Sequence, residues 1–207
     1  MRYRFCVPLV VAIIVGAAAP ANAQLILSPH VDARLAGDVE PTRGGAGLSV
    51  GYYVPAWRGL SVGLELDASW QGHFFRDEKV AHLVPEGVDL NTDALVAMGH
   101  VVVPLSVPRA PIWRPYGSLG LGLTHAVFTV PGSDEYDAEQ DDFTFAAGIG
   151  LMHQLTRLLG LRAEARYYHA FVGQHESGRG YREDYDFWMI SVGMMFQLPP
   201  EQWSDAW

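Results

Sequence analysis

The chain has 207 residues, with 14 lysines and arginines against 23 aspartates and glutamates, a formal net charge of −9. That acidity excludes the basic face that nucleic-acid phosphates require, and a lone cysteine, Cys6, excludes a disulfide scaffold. Apolar residues make up 49% of the chain and glycines number 22, yet no run beyond residue 23 is long enough for a membrane-spanning helix.

Arg2 and Arg4 precede an apolar run from Phe5 to about Ala19, and Ala21 and Ala23 form a small-x-small cleavage pattern. Residues 1–23 are therefore expected to be a secretory signal peptide, too short and without the flanks for an anchor. A mature chain from Gln24 has 184 residues and keeps 12 basic against 23 acidic side chains. One domain is expected, over residues 24–198, followed by a short tail at 199–207.

From there the chain alternates with period 2. A first, weakly patterned strand is expected over His30 to Leu35. "GAGLSVGYYV" sets Ala46, Leu48, Val50, Tyr52 and Val54 against Gly47, Ser49, Gly51 and Tyr53. "LSVGLELDASW" places Leu60, Val62, Leu64, Leu66, Ala68 and Trp70 on one face, with Glu65 and Asp67 on the other. A fourth strand, apolar on both faces, is expected from Asp93 to Leu105. "SLGLGLTHAVF" and "FTFAAGIGLMHQL" supply the fifth and sixth, and "DFWMISVGMMFQL" the eighth. The seventh, "LGLRAEARYYHAF", is ambiguous alone, because Leu, Ala, Arg and Glu all favour helix. Its neighbours make it a strand, since "GIGLMHQL", "TRLLG" and "LRAEARYYHAF" read as strand, turn, strand.

Alternation, many glycines and no long apolar run are the composition of a transmembrane β-barrel. The connections agree. "PAWRG", "SVPRAPIWRP" and "TRLLG" are compact or proline-marked, whereas "GDVEPTRGG", "GHFFRDEKVAHLVPEGVDLN", "PGSDEYDAEQDD" and "GQHESGRGYRED" are polar and mostly longer. Short turns alternating with long loops predict an all-β, eight-stranded, antiparallel up-and-down transmembrane barrel with both termini in the periplasm. A barrel of eight strands is filled by side chains. Arg162, Glu164 and Arg166 are then expected inside, paired with Glu65, Asp67, Asp32 and Arg34, because an unpaired buried charge is costly. Aromatic girdles are expected at the headgroups: Trp57, Trp113 and Tyr116 at the turns, and Trp70, Phe74, Phe75, Phe128, Phe143, Tyr167, Phe171 and Trp188 at the loops. A water-soluble barrel of lipocalin type is the structural competitor, with the same parity and the faces exchanged.

Other chemistry is sparse. The run Asp134, Glu135, Asp137, Glu139, Asp141 and Asp142 lacks the glycine and closing glutamate of a calcium loop and is expected to be a solvated loop. His100, His125 and His153 share no metal-ligand spacing, and Gly-x-Gly at 120–122 and 148–150 falls inside strands. No metal or cofactor is expected.

The stretches "RPYGSLGLGL", "GIGLMHQLTRLLGLRAEARYY" and "SVGMMFQL" resemble the small OmpA-like, porin-like outer-membrane β-barrel family over essentially the whole mature sequence. The resemblance implies residence in the outer membrane of a Gram-negative-type bacterium, contact with outer-membrane lipid and lipopolysaccharide, and insertion by the barrel machinery. That machinery would read an assembly signal at Gly193, Phe196 and Leu198. A monomer is expected, with a role in envelope integrity or surface interaction; a narrow solute channel is the alternative. The seventh strand is also similar to that of outer-membrane lipid A deacylases, which carry His-x-Ser near its end and an acid on the next strand. That likeness implies His169 as base and Glu183 as its partner, although Phe171 stands in the serine position and Ser177 lies in a loop.

Overall fold

A computed structural model of the chain describes residues 24–41, 43–55, 61–80, 90–105, 112–130, 133–173 and 183–198. The segments 1–23 and 199–207, where the signal peptide and the tail are expected, lie outside the described residues, as do Trp57 and Ser177. Eight strands follow one another in a closed antiparallel meander: β1 (Gln24–Gly37), β2 (Gly44–Pro55), β3 (Ser61–Gln71), β4 (Asn91–Pro104), β5 (Trp113–Val130), β6 (Ser133–Gln154), β7 (Leu159–Phe171) and β8 (Tyr185–Leu198). A helical turn, α1 (Asp77–Val80), lies between β3 and β4. The first and last strands close the barrel, from Leu25 opposite Leu198 to Gly37 opposite Phe187. Closure pairs the backbone along every strand and removes sheet edges, a requirement for crossing hydrocarbon.

Alternation sorts the side chains. Leu64, Leu119, Leu121, Ile149 and Val192 are exposed on the outside, while Ser49, Glu65, Ser118 and Glu164 are buried inside. The two faces cannot exchange, since a one-residue slip in any pair would reverse every side chain. An apolar outside with a filled polar inside is the inverse of the lipocalin arrangement.

Strands β1, β5 and β6 begin or end beyond the bounds read from the sequence. Strand β1 begins at Gln24 rather than His30, because Ile26 and Ser28 turn inward while Leu25 and Leu27 pair along β8. The hairpin of β5 and β6 extends to 18 and 22 residues. The acidic run expected as a solvated loop is therefore strand: Asp137, Glu139 and Asp141 are exposed on one face, and Gln140 and Asp142 are buried on the other. The period-2 pattern continues through the charges, which hides it from a hydrophobicity reading.

The turn between β6 and β7 is held locally. Thr156 Oγ1 accepts from the N–H groups of Leu158 at 3.3 Å and Leu159 at 3.0 Å. At the opposite end, Gly37 has φ 120°, and a Cβ there would fall 2.6 Å from Phe187 Cα. Both the left-handed backbone and the close approach of β8 require glycine.

Candidate functional site

The inside of the barrel is filled in three storeys. In the middle, β3 and β7 supply the charges expected from their parity. Arg162 Nη1 donates to Glu65 Oε2 at 2.6 Å, and its Nη2 donates to Glu164 Oε2 at 2.8 Å. Arg166 reaches Glu164 at 2.7 Å, Glu65 at 3.4 Å and Asp67 at 3.4 Å. Tyrosines complete the network: Tyr53 donates to Glu65 at 3.0 Å, and Tyr116 donates to Glu164 at 2.8 Å while accepting from Arg162 Nε at 2.6 Å. Ser118 adds a bond to Glu164 at 2.7 Å. Glycines make the room: a Cβ on Gly148 would fall 2.6 Å from Arg166 Cγ.

The first strand contributes differently from expectation. Asp32 accepts a short bond from Ser69 and one of 3.0 Å from Gln71, and lies 3.6 Å from His30 rather than against an arginine. Arg34 does not join the network. It lies one step further along β1, where pairing with β8 shifts between Arg34 and Ala36. There it donates to the carbonyls of Gly72 at 2.8 Å and Arg43 at 3.4 Å, with its guanidinium 5.5 Å from the Phe74 ring centroid. Its hydrogen bonds go to loop carbonyls, away from the carboxylates of β3 and β7 that hold Arg162 and Arg166.

The storey at the loop end is aromatic. Phe74 packs edge-on against Phe75, Phe187 and Tyr185 at 5.0, 5.3 and 6.0 Å, and Phe75 stacks on Phe128 at 5.5 Å. Tyr168 stacks on Phe187 at 4.7 Å. Phe74 and Phe75 come from the β3–β4 connection, which is pinned inside the mouth. The Phe74 N–H donates to Thr92 O, the Phe75 N–H to Thr92 Oγ1 at 3.0 Å, and Val39 bridges to Phe75. The preceding residue, His73, turns the chain inward with φ 46°, its N–H donating to Asp93 at 3.2 Å. At the terminal end, Ile26, Tyr53, Val102, Tyr116, Met152 and Met195 form a second apolar cluster.

These positions correct part of the girdle. Tyr116, Phe74, Phe75 and Phe128 are buried in the lumen. Tyr116 and Phe128 lie at inward parity on β5, and the two loop phenylalanines fold into the mouth. Trp70, Trp113, Phe143, Phe171 and Trp188 are exposed on the outside, with Trp113 stacked on His153 at 4.0 Å.

The candidate catalytic pair is not assembled. His169 faces outward on β7, opposite Phe145 and Asp186, with its ring edge-on to Phe171 at 4.5 Å. Glu183 is exposed ahead of β8, and the nearer carboxylate, Asp186, accepts from Tyr167 at 2.9 Å. His100 is in the lumen, while His125 pairs outside with Asp141 at 2.7 Å. Among the described residues no group of three or more His, Cys, Asp or Glu has the geometry to hold a metal ion. On β8, Phe196 and Leu198 face outward, whereas Gly193 lies between His30 and Arg162, where a Cβ would fall 2.8 Å from His30 Cβ.

Sequence reasoning does not single out Tyr53, Tyr116, Ser118, His30, Ser69 or Gln71 as parts of the filling. Each has inward parity on its strand, the signal by which it is found. Phe74 and Phe75 carry no such signal.

A closed eight-stranded antiparallel barrel, apolar outside and filled inside by polar and aromatic side chains, is the architecture of the small barrels of bacterial outer membranes. The sequence agrees with the fold: residues 9–197 match the family described as outer membrane protein beta-barrel domain, and the chain belongs to it. It is a bacterial outer-membrane protein. No curated protein matches by sequence. Among solved structures, the chain is similar to the Neisserial surface protein A, with a TM-score of 0.57 and 13% identity, covering 84% of this chain and 98% of that one. A major outer membrane protein from Thermus thermophilus follows at 0.53 and 13%, covering 85% and 99%. The attachment invasion locus protein Ail of Yersinia pestis gives 0.51 and 13%, covering 86% and 99%. At such identities the likeness is one of fold.

Proposed function

We propose that this protein is a sealed, non-conducting outer-membrane barrel with a structural or surface-interaction role. It would be exported behind the signal peptide at residues 1–23, inserted by the barrel machinery and held as a monomer among outer-membrane lipid and lipopolysaccharide. The observation that carries the reading is the three-storey filling of the lumen, from the Ile26 cluster through the Glu65–Arg162 network to the Phe74 plug. Buried side chains occupy each of these levels, which leaves little room for a water path. Among the described residues, the outside offers no nucleophile and base within reach of each other near His169.

The test is conductance of the purified protein in a planar lipid bilayer. The expected outcome is no unitary current, for the protein as it stands and for the variant Glu65→Gln. A steady current that changes on Glu65→Gln would replace this reading with the narrow-channel one.

A further inference from the structure

The outer wall of the barrel is not evenly bulky. Across β4 to β8 it carries a groove of about 680 Å³ with an almost wholly apolar lining. Gly117, Ala147 and Ala165, on three successive strands, leave the space, and Leu119, Tyr167 and Trp188 stand around it. The register sets Ala147 between Leu119 and Tyr167, with Trp188 next in the same row. This wall faces lipid, where an unfilled hollow would forfeit the contacts of its lining.

One end of the groove is polar. Tyr167 lines it, and the hydroxyl of that side chain donates to Asp186 Oδ2 at 2.9 Å. His169, half-buried, stands opposite Asp186 across the β7–β8 pair. Among the described residues its ring meets Phe171 edge-on at 4.5 Å and makes no hydrogen bond. A nitrogen donor and a carboxylate therefore stand side by side at the loop end, above the apolar hollow. Four residues of β7 separate His169 from Ala165, about 13 Å along the strand. One leaflet supplies roughly 15 Å of hydrocarbon, so a single lipid spans both parts.

We propose that the groove binds one phosphatidylethanolamine molecule. An acyl chain lies over Ala147 and Ala165, the ammonium group meets Asp186, and the phosphate accepts from the His169 ring. Charge complementarity selects this occupant, because a carboxylate beside a donor suits a headgroup that carries both signs. A lipid with phosphate and no amine would bring a second negative charge against Asp186. A choline headgroup keeps the positive charge and has no N–H to donate. The proposal narrows the contact with outer-membrane lipid to one headgroup and rests on residence in the membrane. It is independent of what fills the lumen, so the planar-bilayer result leaves it untouched.

The test is native mass spectrometry of the full chain released from detergent micelles, with folding checked by heat-modified gel mobility. Phosphatidylethanolamine, phosphatidylglycerol and phosphatidylcholine with identical acyl chains are titrated in turn, and lipid A is added with magnesium as a competitor. The expected result is one phosphatidylethanolamine bound about tenfold more tightly than phosphatidylglycerol, the worth of one charge-assisted hydrogen bond. Asp186→Asn should bring those two lipids level, and Ala147→Leu, which fills the groove from the lipid side, should weaken all three. Ala165→Leu serves in the same way should Ala147→Leu not fold. Equal binding of the three lipids by the unaltered protein would overturn the proposal. A preference that survives Asp186→Asn would overturn it too, by placing the headgroup elsewhere. So would binding undiminished in both leucine variants, or displacement of phosphatidylethanolamine by an equal amount of lipid A.

Discussion

The middle of the lumen and its outer mouth have the same inward parity and opposite chemistry. In the middle, the barrel wall is the source of the filling, and long arginines reach across it into space left by glycines such as Gly148. At the mouth, a connection can fold in, and Phe74 and Phe75 join rings from β5, β7 and β8. A wall-filled region must satisfy every polar atom it buries, so its members are interdependent. A loop-filled region is held by area and shape, and its members are more nearly independent. The difference concerns what each region loses when one side chain is removed.

The largest loss is expected in the middle. Arg162→Ala leaves Glu65, Glu164 and the Tyr116 hydroxyl without their shared donor, and stability should fall by roughly 3–5 kcal/mol, as for a buried pair broken on one side. Urea unfolding of the barrel in lipid vesicles measures it. At the mouth, Phe74→Ala removes a fully buried ring, with a loss of about 3 kcal/mol, at the lower end for such truncations because loop residues can settle into the space. A double variant, Phe74→Ala with Arg162→Ala, sharpens the contrast. The two losses should add within about 0.5 kcal/mol, since Phe74 and Arg162 themselves have no partner in common. Strong coupling between them would make the lumen one cooperative filling instead of two.

The third prediction sets the inside of β7 against its outside. Ala165 lies near the centre of the strand, facing outward between Ile149 and Ile190. Ala165→Arg should cost about 2–4 kcal/mol and reduce insertion, the cost of a cation at the midplane of the lipid face. An arginine one residue along, Arg166, is accommodated because it faces three carboxylates. Equal tolerance of Ala165→Arg and of a conservative lumenal change, Glu65→Gln, would undo the assignment of faces.

Much of this is legible in the sequence because parity is a rigid constraint. Once Leu64 and Leu66 are assigned to lipid, Glu65 and Asp67 have nowhere to go but the lumen, and the same holds for Arg162, Glu164 and Arg166 on β7. Parity also places Tyr116 and Phe128 inside, but their aromatic character points to the membrane interface, and strand position outranks side-chain class. Arg34 shows the opposite limit. Its parity is inward, yet the row of carboxylates stops at Asp32. How far up a barrel a charged row extends depends on stagger between strands, which alternation does not encode. Phe74 and Phe75 are out of reach for a third reason: a loop that folds back into the lumen has no period, and its anchors, the Thr92 bonds and the bridge to Val39, are set by tertiary contact. The acidic hairpin is hidden because its strand pattern is written in charges.

The smallest effect is expected where the geometry looks strongest. His125 and Asp141 meet at 2.7 Å on the outer face of the β5–β6 hairpin, closer than Arg166 and Asp67 at 3.4 Å in the lumen. Their side chains are 31% and 54% exposed, so water and salt screen the pair, whereas those of Arg166 and Asp67 are 3% and 2% exposed. His125→Ala should therefore change stability by about 1 kcal/mol or less, and less still at high salt. Asp67→Ala should cost several times more, because it leaves Arg166 short of a partner inside the barrel. If urea unfolding gave the two variants equal losses, burial would not be what ranks these pairs.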